Sequence, residues 1–349
     1  MKLIIWTANS SLIFWSIMMI LLMNNNQASN NNSPSNKTSI FFFGTSNFAA
    51  IILEKIIAEK LPISLVVSQP DRPQGRKKNI KPTPVKIVAE KNKLKIFQPE
   101  NFDQTAIDYL TNLKPTIFLV AAYGLILPES ILAIPSLGSF NIHGSLLPTL
   151  RGASPIQTAL LKGLKSTGIT LIKMDQQLDH GPIVCQKKIT INKSEVYEEL
   201  EQKMAEKSAQ LILEKIQLII SRKIKLKAQA HSQATFTSII RKQDGQINWN
   251  HSAEEIYNRW RAFHRWPKIF SFWNNKRIIF EKISFSTSNE ASPKKPGTVF
   301  KTKNNQTAIQ TKSGLIFPIE VKPEGKNIMS IESFLNGNQN FIGTVLLEK

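Results

Sequence analysis

Apolar residues along this chain come in two patterns. In the first part they form short solid blocks, at 40–43, 63–68, 117–122 and 169–174, separated by stretches of helical period. Solid blocks of that length predict strands buried on both faces. A short strand is expected at 95–98. Another at 184–191 belongs at a sheet edge, marked by Lys187 and Lys188. Helices are predicted over 48–60, 84–93, 156–164 and 195–221, with Pro155 able to start the third at its first turn. In the last of them Val196, Leu200, Met204, Ser208, Leu211, Ile212 and Ile216 share one face, a core stripe. Strand, Gly44 turn, helix, strand is the opening of an α/β doubly wound, mostly parallel sheet. Beyond residue 237 the pattern changes. A helix at 252–263 precedes short alternating strands at 278–285, 297–300, 307–311 and 315–321, which predict a small C-terminal OB-like β-barrel domain. The expected boundaries are 39–221 for the first domain, 222–236 for an exposed linker carrying Lys223, Lys225 and Lys227, and 237–349 for the second.

Residues 1–38 fit neither pattern. A 12-residue apolar run, 12–23, broken only by Ser16, leads into an Asn-rich stretch, 24–36. The run is short for a membrane span, which takes about 18 residues or more. The first arginine of the chain is Arg72, so an arginine-rich organelle presequence is absent. Three readings stay open: a start assigned too early, an organelle leader, or an anchor. The first is favoured, and the Asn-rich piece is expected to be disordered. A cytoplasmic protein without stable membrane association follows, with an organelle as the alternative if the leader is real.

Charge changes the picture more than size does. The chain has 349 residues, 42% of them hydrophobic, but 45 Lys and Arg stand against 25 Asp and Glu, a net +20. Residues 222–349 alone carry 21 basic and 9 acidic side chains, or +12. An AT-rich genome that overuses lysine accounts for part of this. A charge concentrated in one part favours a polyanionic partner, nucleic acid first. The single cysteine, Cys185, excludes an internal disulfide and a Cys-rich metal site.

Two stretches carry candidate chemistry. The first is Phe140-Asn141-Ile142-His143-Gly144-Ser145-Leu146-Leu147-Pro148 followed by Arg151-Gly152-Ala153-Ser154-Pro155. In a strand, residues two apart face the same side, so Asn141 and His143 can point into one cleft. The second is Leu178-Asp179-His180-Gly181, where a carboxylate could orient His143. Taken alone, an Asn-x-His pair is more often a satisfied polar pair than a catalytic one. Between 69 and 86, prolines 70, 73, 82 and 84 interrupt a basic run of Arg72, Arg76, Lys77, Lys78, Lys81 and Lys86, with Asp71 the one acid. Neither a helix nor a central strand tolerates that many prolines, so a stiff exposed loop is expected. Such a loop either contacts phosphates or is simply solvated. Arg261, Phe263, Arg265 and Trp266 could clamp nucleic acid, or Phe263 and Trp266 could be core. No Gly-x-Gly-x-x-Gly follows the first strand, which weakens a dinucleotide reading.

Together, Asn-x-His-Gly-Ser-Leu-Leu-Pro, Arg-Gly-x-x-Pro and Leu-Asp-x-Gly at this spacing resemble the folate-dependent formyltransferases. The basic loop and the segments Arg261-Ala262-Phe263, Trp266-Pro267, Lys322-Pro323-Glu324-Gly325-Lys326 and Phe334-Leu335-Asn336-Gly337 are similar to the methionyl-tRNA branch of that family. The resemblance covers about residues 40–349 and implies a formyltransferase-like Rossmann variant. It assigns Asn141, His143 and Asp179 to catalysis. It places a folate against Ser145, Leu146, Leu147 and Pro148, with Tyr123 and Leu125 lining the pterin site, although by composition Tyr123 is equally a packing residue. It implies that Arg72, Arg76, Lys77, Lys78 and Lys81 contact tRNA. Arg151 goes to the tRNA end or the folate, and is placed with the tRNA-binding set.

The implied reaction moves a formyl group from 10-formyltetrahydrofolate to the amino group of initiator methionyl-tRNA. Asn141 and His143 would steady the oxyanion, and Asp179 would help remove the amine proton. No metal is expected, and a monomer is. One rival is a formyltransferase for a small amine, such as a sugar nucleotide or glycinamide ribonucleotide. Another is a nucleic-acid-binding module on a dead enzyme fold, against which the intact Asn141, His143 and Asp179 speak.

Overall fold

The computed structural model describes residues 38–74, 79–288 and 294–346. The expectations for residues 1–37, and for Arg76, Lys77 and Lys78, therefore lie outside the described residues. The solid apolar blocks form strands β1 (Ile40–Gly44), β2 (Ile63–Val67), β5 (Ile96–Phe97), β6 (Ile117–Ala121) and β7 (Ser139–His143), all parallel to one another. Every residue of β1 and of β6 is buried, as blocks without alternation require. β9 (Ser166–Lys173) runs antiparallel to β7, and β10 (Ile183–Thr190) closes the edge antiparallel to β9. The seven-stranded order is β10-β9-β7-β6-β1-β2-β5.

Side-chain caps start the helices between the strands. The Ser46 hydroxyl accepts from Ala49 N ahead of α1 (Asn47–Ala58). Thr83 caps α2 (Pro84–Lys91), where proline at the first position loses nothing. Asp103 caps α3 (Gln104–Asn112), a helix the apolar pattern does not predict because only Ala106 and Leu110 of it are buried. The long helix Tyr197–Ile220 and the helices Asn47–Ala58 and Pro155–Leu161 cover one face of the sheet, around Phe42, Leu119 and Ile169. Phe41, Phe43, Phe118 and Tyr123 fill the other face.

A second, six-stranded sheet is antiparallel throughout: β12 (Ile269–Trp273), β13 (Lys276–Ser286), β16 (Leu315–Pro323), β15 (Thr307–Gln310) and β14 (Val299–Lys301) in that order, with β17 (Met329–Ser330) on β16. This is the curled half-barrel of the expected OB-like region, consistent with the alternating burial along β13. β12 is additional: its Ile-Phe-Ser-Phe-Trp run follows the Trp266-Pro267 turn so closely that the sequence pattern hides it.

The helix preceding this sheet, Ala253–Ala262, packs against Pro155–Leu161, and side chains at its C-terminal end reach the start of Tyr197–Ile220. Arg261 is buried; its Nη1 donates to the carbonyls of Asn192 and Glu195 at 3.3 and 3.2 Å. Arg265 Nη1 reaches the buried Glu201 carboxylate at 3.1 Å. Arg261 and Phe263 are thus core and docking residues. Trp266 is half exposed, at 53%.

Candidate active site

Asn141 and His143 sit at the C-terminal end of β7, beside the C-terminal ends of β6 and β1, where the order of parallel strands reverses. Open α/β sheets hold ligands at that edge. Register with β9 sets Asn141 opposite Ile172 and His143 opposite Thr170. After β9 the chain turns through Asp179, whose backbone is left-handed at φ +52°. The turn closes at Gly181: a Cβ there would lie 1.9 Å from the Lys173 carbonyl oxygen, so only glycine fits.

The three predicted side chains converge. Asp179 Oδ1 lies 3.4 Å from Asn141 Nδ2 and 3.4 Å from His143 Nδ1. The carboxylate and the imidazole are almost fully buried, with side-chain exposures of 7% and 6%. Asp179 Oδ2 accepts from the backbone N–H of Gly152 at 2.7 Å. One contact is additional to expectation. Besides the Asp179 carboxylate at Nδ1, the Leu150 carbonyl oxygen lies 2.9 Å from His143 Nε2. A carbonyl can only accept, so Nε2 carries a proton. In the neutral ring Nδ1 then offers a lone pair toward Asp179 Oδ1. At 3.4 Å the two atoms are too close to admit another between them, so a single N–H donor can reach both only from one side.

The arm that carries Leu150 and Gly152 is held from behind by the linker. β8 (Arg151–Gly152) pairs with β11 (Phe236–Thr237). Leu150 N donates to Thr235 Oγ1 at 2.9 Å, Arg151 N to Thr235 O at 2.8 Å, and Ser154 N to Thr237 Oγ1 at 3.1 Å. Gln229 is buried, although Lys223, Lys225 and Lys227 are exposed as expected of a linker. The hydroxyl of Thr237 and the amide of Gln229 are site-supporting groups that no motif pointed to. Polar residues in an apparent linker were the one available signal.

The other predicted site residues separate into two groups. Ser145 is fully buried and donates to Thr149 O at 2.5 Å, and Leu147 is buried with Ile172 and Ile183. Leu146 and Pro148 are partly buried, and Leu125 and its neighbour Ile126 are exposed at 48% and 79%. Two exposed apolar side chains at the C-terminal end of β6 suit a flat ring better than water. Tyr123 differs: its ring packs against Phe43 and Phe102, its hydroxyl is buried without a partner, and burial pushes its pKa up to about 12. Its carbonyl, not its phenol, does the polar work, accepting from Thr45 Oγ1 and Gln69 Nε2, each at 2.7 Å.

Arg151 is also a correction. It is 4% exposed, and its Nη2 donates to Gln229 Oε1 at 2.6 Å and His231 Nδ1 at 2.9 Å. A buried guanidinium held this way presents nothing to an RNA phosphate.

The basic stretch is not a loop but a two-stranded ribbon, β3 (Arg72–Gln74) on β4 (Asn79–Lys81), outside both large sheets. A lone hairpin tolerates Pro73 because only one edge of each strand is paired. Arg72 is exposed, with Glu100 2.8 Å away, and Lys81 is exposed. Lys86 lies behind the ribbon, where its 2.7 Å pairing with Asp71 raises its pKa and lowers that of the carboxylate. Among the described residues no cluster of three His, Cys, Asp or Glu could hold a metal ion.

A doubly wound sheet with an amide, an imidazole and a carboxylate gathered at its switch-point edge has the layout of a group-transfer enzyme. Two family models then match in order: formyl transferase over residues 36–216, and formyl transferase, C-terminal domain, over 239–339. The chain belongs to the formyl transferase family. The methionyl-tRNA formyltransferase of Thermodesulfovibrio yellowstonii is 41% identical over 85% of this chain and 94% of its own length. That of Caldicellulosiruptor saccharolyticus is 39% identical over 87% and 98%. That of Legionella pneumophila is 34% identical over 87% and 96%. The fold is also that of an N-formyltransferase from Helicobacter canadensis in complex with folinic acid and dTDP-3-aminofucose (TM-score 0.60, 20% identity, 81% of this chain, 99% of that one).

Proposed function

We infer that this chain transfers the formyl group of 10-formyltetrahydrofolate to the α-amino group of methionyl initiator tRNA, a step of translation initiation. The observation that carries the reading is the meeting of Asn141, His143 and Asp179 around one carboxylate oxygen, in a chain whose relatives at 34–41% identity are named methionyl-tRNA formyltransferases. The small-amine alternative draws on structures of 20–22% identity, which speak for the fold alone.

In this reading the methionyl amine approaches beside the His143 Nδ1 and Asp179 Oδ1 pair, which stand 3.4 Å apart. The amine must lose a proton to become a nucleophile, and these two acceptors face it. Attack of the amine nitrogen forms the new C–N bond and puts negative charge on the formyl oxygen, to which the Asn141 amide donates without adding charge. Collapse then breaks the bond from the formyl carbon to N10, and tetrahydrofolate leaves with a proton in place of the one the amine has lost. The donor folate is a substrate, and Leu125, Leu146 and Pro148, which are not buried, offer it apolar surface, while Ser145 and Leu147 are buried and support that segment from within. The tRNA backbone lies along Arg72, Arg76, Lys77, Lys78 and Lys81 and over the basic C-terminal region. The functional units are a catalytic domain at 39–221, a linker at 222–236 and an RNA-binding OB-like domain at 237–349, working as a monomer in the cytoplasm.

The test is direct. Purified protein is incubated with 10-formyltetrahydrofolate and either methionyl initiator tRNA or an amino-sugar nucleotide, and blocked amino groups are counted. Formylation of the tRNA arm is expected. Product in the sugar arm alone overturns the reading.

A further inference from the structure

We propose that Gln229, in the segment that links the two sheets, is a positioning residue for Asp179, so that the linker is part of the catalytic machinery. The proposal rests on the formyl-transfer reading above. Gln229 is 5% exposed, and its amide is fully used in two directions. Nε2 donates to the Asp179 carbonyl at 2.9 Å and to the Gly181 carbonyl at 2.7 Å, gripping the turn on both sides of His180. Oε1 accepts from Arg151 Nη2 at 2.6 Å. Arg151 is the residue before Gly152, whose N–H holds the Asp179 carboxylate at 2.7 Å. One side chain thereby ties the backbone of Asp179 to the arm that grips its carboxylate.

This tie has something to hold against. Asp179 occupies a left-handed conformation, which costs free energy for a residue other than glycine and persists only where surroundings impose it. Its carboxylate must stay level with Asn141 Nδ2 and His143 Nδ1, both at 3.4 Å. Displacement by about 1 Å at a reacting centre can cost on the order of 100-fold in rate. No other side chain donates to the carbonyls of both Asp179 and Gly181 among the described residues. The segment around Gln229 is anchored on both sides, by the Ile183–Lys227 backbone pair and by the pairing of Phe236–Thr237 with Arg151–Gly152.

Two variants test the idea in the full-length chain. Gln229→Glu keeps the shape and the acceptor for Arg151 but removes both N–H donors. Gln229→Leu removes all three bonds. Thermal unfolding, kcat and KM for both substrates, and the pH profile of kcat/KM are measured, with Asn141→Ala as the reference for lost chemistry. Gln229→Glu is expected to melt near wild type, to lose 10- to 100-fold in kcat with KM changed less than threefold, and to shift the acidic limb of the profile. Gln229→Leu loses at least as much rate. The proposal is overturned if Gln229→Glu folds and turns over within twofold of wild type with an unshifted profile. It is also overturned if the whole loss in either variant follows the unfolded fraction. Failure of the parent reading looks different: wild-type protein then leaves methionyl-tRNA unblocked, whatever Gln229 does.

Discussion

The cleft around Asp179 and the basic ribbon at Arg72–Lys81 are built on opposite principles. In the cleft the His143 and Asp179 side chains are buried and held by short bonds to Leu150 O and Gly152 N, and Gln229 holds the Asp179 backbone; Asn141 is partly buried. The ribbon is a two-stranded hairpin with exposed side chains, set off from both large sheets. Bond-making chemistry needs groups fixed to a fraction of an ångström, and burial with full hydrogen bonding provides that. Holding a polyanion needs charge and reach, and salt-screened surface lysines and arginines provide that with little cost in stability. A change in the cleft should therefore act on rate, and a change in the ribbon on salt dependence.

The largest expected effect is in the cleft. Asn141→Ala is expected to lower kcat by about 10²–10³-fold, the usual loss for one oxyanion donor, with an unchanged melting temperature. Near-normal turnover in purified protein would remove Asn141 from the reaction. Tyr123 marks the inner boundary of the cleft. Its hydroxyl is buried and unpartnered, so Tyr123→Phe is expected to stabilise the fold by about 1 kcal/mol and leave the KM for folate unchanged. A severalfold rise in that KM would return the phenol to the pterin site. In the ribbon, Arg72→Ala breaks an exposed pair with Glu100 and is expected to change stability by less than about 0.5 kcal/mol. The log–log salt slope of tRNA binding should flatten by about one. An unchanged slope in a titration between low and moderate salt would detach Arg72 from the RNA.

The smallest effect is a pH dependence behind the cleft. His231 accepts from Arg151 through Nδ1 and stacks on His180 at 4.0 Å. Desolvation, and then the neighbouring His180 and Arg151, hold its pKa below the usual imidazole value. Its contribution to holding the segment is therefore complete above pH 6.5 and is lost as pH falls through the lower folded-state value. Hydrogen-exchange protection at residues 227–237, after correction for the intrinsic pH dependence of exchange, should fall with acid in wild type and lose that acid dependence in His231→Asn. Equal acid sensitivity in both would show that His231 does not report on the segment.

Much of this was readable in the chain. The solid blocks at 40–43 and 117–122 could only be strands covered on both faces, because no solvated surface tolerates such runs. Asn141 and His143 shared a face by the two-residue period of a strand, whatever the rest of the fold did. Strand Ile269–Trp273 was not readable, because it follows the Trp266-Pro267 turn directly; helix Gln104–Asn112 was missed although Asp103 caps it and Ala106 and Leu110 share its buried face. Arg151 and Tyr123 were misplaced for a different reason. A residue type states what chemistry is on offer, but burial alone decides whether the group meets solvent, a ligand or another side chain.

The sequence by itself determined the alternation of strand and helix, the excess of positive charge and the three groups able to run the chemistry, because periodicity, charge and functional groups are local properties. Only the tertiary structure decided that the Leu150 carbonyl holds His143 at Nε2, the ring nitrogen away from its Asp179 contact, and that Arg151 is buried against Gln229. It also decided that Gln229 grips the Asp179–Gly181 turn. Those relations join residues as far apart in the chain as Arg151 and His231, and no local preference encodes a hydrogen bond across that separation.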